Sequence, residues 1–157
     1  MVPRFLLDGM LGSLARWLRI GGVDTEYRKD TPDDILIEEA LEDHRILLTR
    51  DEALVNRARK RGVEAIYIEA EVDEEALRQL AEELGLTFDP TRARCPKCNH
   101  AVEKVAKAEV AGKVPEGTYA AVDDYWVCPS CGGIYWRGSH WLRIVETLSS
   151  AGHPAHS

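Results

Sequence analysis

Four cysteines and a handful of carboxylates are the residues of this chain with the clearest chemical potential. The cysteines fall in two tight pairs, Cys95-Pro96-Lys97-Cys98 and Cys128-Pro129-Ser130-Cys131. A Cys-x-x-Cys pair presents two thiolates to one tetrahedral ion, and two such knuckles complete a four-cysteine zinc site. Gly132-Gly133, directly after the second knuckle, permits the tight turn that aims backbone amides at sulfur. A closed set of four thiolates leaves no open coordination position, so this zinc is expected to be structural, replacing the core that so short a module cannot build. Disulfides are the competing reading. No secretion signal is evident, so a reducing, cytoplasmic setting and metal binding are expected instead. The gap of 29 residues between the knuckles exceeds the usual 15–20 or so; the excess reads as a longer hairpin arm around Val110 to Tyr119.

The carboxylates call for a different metal. Asp8 ends the apolar run Phe5-Leu6-Leu7, Asp33 and Asp34 open a helical stretch, and Asp51 follows the apolar run Ile46-Leu47-Leu48 after Thr49-Arg50. Carboxylates brought to one point repel strongly where the effective dielectric is low, unless a divalent cation neutralises them. Oxygen-rich sites suit Mg²⁺ or Mn²⁺, which activate water and clamp phosphate oxygens. Asp8, Asp33, Asp34 and Asp51 are therefore candidate metal-ligating and catalytic residues, with the Thr49 hydroxyl in support. Each acid also has a plainer reading as a helix cap or first-turn residue.

What must position these acids is an alternation of strands and helices. Phe5–Leu7, Val23–Tyr27, Arg45–Thr49 and Val63–Ile68 read as strands, and Leu86–Phe88 as a short fifth one. Between them, apolar residues recur at helical spacing, as at Leu11, Leu14, Ala15 and Leu18. Glycines close these helices at Gly21-Gly22, Gly62 and Gly85. Strand–helix units joined by short loops force parallel pairing with helices on both faces, and ligands then gather at the carboxyl ends of the strands. Arg16 and Arg19, on the helix after Asp8, are candidates for phosphate contact.

Asp89-Pro90-Thr91 marks a boundary. Residues 1–90 carry 12 Lys and Arg against 21 Asp and Glu, whereas residues 91–157 carry 8 against 6, within a total net charge of −7. Halves of opposite balance suggest different tasks. An α/β domain over residues 1–90, a β-rich zinc ribbon over 91–149 and a flexible tail over 150–157 are expected. In the ribbon, Tyr135, Trp136, Arg137 and His140 form an aromatic and basic group suited to stacking on unpaired bases. Apolar content of 45% with 30% charged residues is globular, and no apolar run approaches the roughly 20 residues of a membrane helix.

Taken together, Leu7-Asp8-Gly9-Met10-Leu11-Gly12-Ser13-Leu14-Ala15-Arg16-Trp17-Leu18-Arg19, Leu48-Thr49-Arg50-Asp51, the two Cys-Pro-x-Cys knuckles and Gly133-Ile134-Tyr135-Trp136-Arg137-Gly138-Ser139-His140-Trp141 resemble the Mut-seven C-terminal RNase family. The resemblance extends to about Leu148. It implies a PIN-like, three-layer α/β domain with the first strand central, fused to a zinc ribbon. It also implies RNA phosphodiester cleavage by an acidic cluster: the first family acid maps to Asp8, the second to Asp33 with Asp34 a near alternative, and the third to Asp51. Neither Glu69 nor Glu71 matches a fourth acid. Ribosomal RNA or the ribosome is the partner that this architecture suggests by analogy with the Nob-one endonuclease. The alternative is a non-catalytic RNA- or ribosome-binding adaptor built on a PIN-like scaffold.

Overall fold

The computed structural model describes residues 2–152. Four short strands, β1 (Phe5–Asp8), β2 (Thr25–Arg28), β3 (Ile46–Thr49) and β4 (Ala65–Tyr67), form a parallel sheet in the order β2-β1-β3-β4. The expected α/β architecture is the one observed. Strands buried on both faces need apolar residues at consecutive positions, not alternate ones. Phe5, Leu6, Leu7, Leu47 and Leu48 are accordingly all fully buried.

Helices α1 (Gly12–Ile20), α2 (Asp33–Glu42), α3 (Glu52–Lys60) and α4 (Asp73–Leu84) connect or follow the strands. The chain starts at the middle of the sheet, steps out to β2, then crosses back over β1 to β3. Right-handed crossovers must place the first helix on one face and the next two on the other. The two cores show this division. Phe5, Leu7 and Leu48 pack with Leu14, Leu18, Leu77 and Leu80 of α1 and α4. Leu6 and Leu47 pack with Leu36, Ile37, Leu54 and Val55 of α2 and α3. The strand order reverses between β1 and β3, so the crevice at their carboxyl ends is the switch point of the sheet.

Leu86–Phe88 is not a strand. Leu86 and Phe88 are buried, but among the described residues their segment has no ladder partner, and the next residue, Asp89, donates its N–H to the Gly21 carbonyl (2.8 Å). The adjacent Asp89-Pro90 bends the chain at once: the Asp89 carboxylate caps a 3-10 turn over Pro90–Arg92. Burial without pairing is what the apolar side chains achieve there.

The cysteine module holds a small antiparallel sheet of β5 (Glu103–Val105), β6 (Tyr125–Val127) and β7 (Ile134–Tyr135). Residues between β5 and β6 do not extend the hairpin as expected. They fold into a 3-10 turn (Lys107–Val110), where Glu109 accepts from the Ala106 N–H, and a short helix, α5 (Glu116–Ala121), with Pro115 at its N-cap position. Val110 inserts there, 1% exposed.

The last element, α6 (Trp141–Gly152), leaves the ribbon and returns to the α/β layer. Leu148 and Ala151 are buried within the core of α1 and α4. Ser150–Gly152 are thus the last turn of a docked helix; the remainder of the tail expected from residue 150 lies outside the described residues. Among the described residues no helix is long and apolar enough to cross a membrane.

Candidate functional site

Asp8 is the last residue of β1 and Thr49 the last of β3, so the two side chains meet at the switch point. The Thr49 hydroxyl, fully buried, donates to Asp8 Oδ2 at 2.6 Å. The same hydroxyl oxygen accepts the Asp51 N–H at 3.1 Å. The turn after β1 explains why Asp8 is free for this. Leu11 donates its N–H to the Asp8 backbone carbonyl, and the α1 N-cap position falls to Leu11, with no side-chain cap. Asp8 Oδ1 takes only a long bond (3.3 Å) from the Met10 N–H. The capping reading therefore fails for Asp8.

It holds for Asp51, whose Oδ1 accepts from the Ala53 and Leu54 N–H groups at the start of α3. The cap fixes this carboxylate at the strand edge, and no hydrogen bond engages its second oxygen among the described residues. Asp33 and Asp34 open α2 as expected and are both bound by Arg57 of α3: Nη1 reaches Asp33 Oδ2 at 3.2 Å and Nη2 pairs with Asp34 Oδ1. The structure thus brings Asp8, Thr49 and Asp51 into one hydrogen-bonded chain and ties Asp33 to Asp34 through an arginine. No three of these four carboxylates come within 4.8 Å of one another. Mg²⁺ does not require that they do, since it keeps several waters and commonly binds one or two carboxylates plus phosphate oxygens.

The four cysteines do converge. Their sulfurs all lie within 4.8 Å of one another, with Cys95–Cys131 at 3.7 Å and Cys98–Cys128 at 3.2 Å. Four thiolates at about 2.3 Å from one tetrahedral centre stand roughly 3.8 Å apart, so the set fits a metal such as zinc. The two knuckles are built alike. Cys95 N–H donates to the His100 carbonyl and Asn99 N–H to the Cys95 carbonyl; Cys128 N–H donates to Gly133 and Gly132 N–H to Cys128. Asn99 (φ 69°) and Gly132 (φ 77°) hold equivalent left-handed positions. Burial opposes the Cys95 thiolate, but the Tyr135 hydroxyl (3.0 Å) and the N–H groups of Lys97 and Cys98 outweigh it and bring the thiol down to about 6. Burial pushes Cys128 up to about 12; a dication would reverse that, because a coordinating thiol is deprotonated outright.

A family model, the Mut7-C RNAse domain, matches residues 3–148. The chain belongs to the Mut7-C RNAse domain family. No curated protein and no solved structure matches it. Membership points to a nuclease-like role with RNA as the substrate class.

In this Mut7-C chain the remaining candidates separate. Arg16 is exposed on α1, one turn from the acidic edge, with no ion pair among the described residues. Arg19 is not available for phosphate. It is 6% exposed, and its guanidinium donates to the Thr25 and Pro96 carbonyls, both at 2.8 Å, tying α1 and β2 to the first knuckle. Tyr135 is half-buried, with its hydroxyl on the Cys95 sulfur. Trp136 is held edge-on to Tyr125 (6.1 Å between centroids), and the Arg137 guanidinium lies between Trp126 (5.0 Å) and Trp141 (4.9 Å). His140 is exposed just before α6. Sequence reasoning missed Asn99. Its side chain accepts the Thr25 N–H and donates to Asp24 and Glu26, locking the ribbon to β2. The one available sign was an Asn directly after a Cys-x-x-Cys pair, where a left-handed residue is needed.

Proposed function

We propose that this protein is a metal-dependent ribonuclease whose reaction takes place at the carboxyl ends of β1 and β3. The observation that carries the reading is the Asp8–Thr49–Asp51 chain: a carboxylate at the topological switch point, oriented by a fully buried hydroxyl, beside a second carboxylate with one oxygen unengaged. Asp8 and Asp51 are the residues that would hold Mg²⁺ or Mn²⁺, with Asp33 or Asp34 recruited if Arg57 releases them. A bound ion of this kind supplies an activated water and charge neutralisation on the phosphate. Thr49 fixes which Asp8 oxygen faces the crevice, and Arg16 meets substrate phosphate from α1. The ribbon, closed around structural zinc, helps to hold RNA, with ribosomal RNA as one candidate, and cysteines held by zinc and not by disulfides suit the cytoplasm.

Replacement of Asp8 by Asn tests this. Cleavage of labelled single-stranded RNA in Mn²⁺ should disappear, Mn²⁺ binding followed by calorimetry should weaken, and the melting temperature should stay within a few degrees. Undiminished cleavage by the Asp8→Asn protein would refute the assignment. A second reading, an RNA- or ribosome-binding adaptor without turnover, is favoured by one observation: Arg57 pairs with both Asp33 and Asp34 and offsets part of their charge. It predicts RNA binding with no Mn²⁺-dependent cleavage at all.

A further inference from the structure

The ribbon leaves a cleft of about 500 Å³ between itself, the end of α1 and the start of α6. Its walls include three indole rings, Trp126, Trp136 and Trp141, and the basic side chains Arg92, Lys104 and Arg137; no carboxylate is among the described residues lining it. In a chain of net charge −7, a concavity walled by cations and aromatic faces is complementary to an anion with a planar, polarisable part. Two of the cations have distant or exposed acidic partners: Lys104 with Asp124 and Arg92 with Asp89. Arg137 has none among the described residues, and its guanidinium is stacked against two indoles. Rings already fixed by such contacts lose little freedom when a ligand stacks on them. A space of this size accommodates a nucleotide-sized group.

The position of the cleft adds a constraint. Ile20, the last residue of α1, lines it, whereas the first turn of α1 follows Asp8 directly. The ribbon contacts Thr25, at the amino end of β2, through Asn99. The cleft and the carboxylates therefore lie at opposite edges of the sheet, separated by roughly the length of α1, about 13 Å at 1.5 Å per residue. A stacked strand advances about 3.4 Å per nucleotide, so roughly four nucleotides bridge that distance.

We propose that this cleft is a distal subsite for single-stranded RNA, which takes an unpaired base and its phosphate about four nucleotides from the phosphate presented to Asp8. The proposal rests on the reading that RNA is the substrate. Base faces are open to indoles only in unpaired strands, which excludes continuous duplex from the cleft. The subsite makes substrate length, not base identity, the property that the protein selects, because every base offers a π face.

The test uses the Asp8→Asn protein, zinc intact and no Mg²⁺ or Mn²⁺ added, with labelled oligouridylates followed by fluorescence anisotropy. A dodecanucleotide should bind about tenfold or more tightly than a tetranucleotide, quench tryptophan fluorescence and resist competition by duplex RNA. Arg137→Glu, and independently Lys104→Glu, should remove most of that advantage; both side chains are exposed, and circular dichroism checks their folding. Equal affinity for the two lengths, equal competition by duplex, or no effect of either substitution overturns the subsite. Cleavage by the wild-type protein in Mn²⁺ separates the two proposals. Length- and Arg137-dependent binding without wild-type cleavage retains the cleft and rejects the nuclease. Cleavage of both oligonucleotides with the same KM retains the nuclease and rejects the cleft.

Discussion

The Thr49 hydroxyl donates to Asp8 and accepts from the Asp51 N–H, so one buried oxygen sets the spacing between the two candidate ligands. Its position was legible in the sequence, because a polar residue ending an apolar strand run has only the strand edge to face. Its partner was not, since nothing local says that residues 41 positions apart meet; the sheet order does. Thr49→Val keeps the shape and removes both bonds. It leaves a carboxylate oxygen and an N–H short of partners, at a cost of about 1–3 kcal/mol. Stability in urea should fall by that amount, and Mn²⁺-dependent cleavage should fall by about tenfold or more as Asp8 loses its orientation. Thr49→Ser should restore both. A Val variant that cleaves normally would show that Asp8 needs no such support. Arg19 carries the opposite lesson. Read as a surface residue, it is buried because the ribbon folds back over the end of α1, and only the ribbon's docking reveals that.

At the scale of elements, the ribbon is joined to the sheet by polar contacts around β2. Asp24 sits at their centre, paired with Arg45 (2.8 Å) and with the Asn99 side-chain amide (2.7 Å). Partial burial raises the Asp24 carboxyl, but the bonds from Arg45 and Asn99 outweigh it and hold the group below the ordinary carboxylate range. A depressed native value contributes stability above the unfolded value, about 3.9, and that contribution is lost as pH falls through the native one. The melting temperature of the wild-type protein should therefore decline as pH drops below about 4, and the decline should be shallower in Asp24→Asn. An equal decline in both proteins would place the acid sensitivity elsewhere. The cysteine centre makes a second test at this scale. Metal binding supplies much of the folding free energy of such modules, so a chelator should abolish the near-ultraviolet dichroism of Trp126 and Trp136, and zinc should restore it. The ribbon's existence was readable from its cysteines. Its helical insert was not: Pro115 and Glu109 act locally, while the count of residues between the knuckles only says that something extra is present.

At the scale of the whole molecule, the composition shift near Pro90 suggests two independent units, and α6 joins them. Sequence reasoning ended the ribbon at residue 149 because residues 151–157, Ala-Gly-His-Pro-Ala-His-Ser, have the composition of a loose tail. The helical spacing of Ile144, Leu148 and Ala151 carries a different message: these residues form an apolar face that needs a core. That core is the α1–α4 side of the sheet, where Leu148 is fully buried. The α/β layer is thus completed by a helix encoded after the ribbon, and the two parts should unfold together. Leu148→Ala removes a fully enclosed side chain and should cost about 2–5 kcal/mol. At roughly 2–4 °C per kcal/mol for a chain of this size, that lowers the melting temperature by several degrees or more. The loss should register equally in far-ultraviolet dichroism, which follows the sheet and helices, and in tryptophan fluorescence, which follows mainly the ribbon. A chain cut at Pro90 tests the same dependence more severely. Without α6 it exposes the buried face of α4 and should show no cooperative thermal transition. If residues 1–90 melted cooperatively near the temperature of the full chain, the returning helix would be an accessory to a self-sufficient domain, and the ribbon would be free to move relative to the acidic edge.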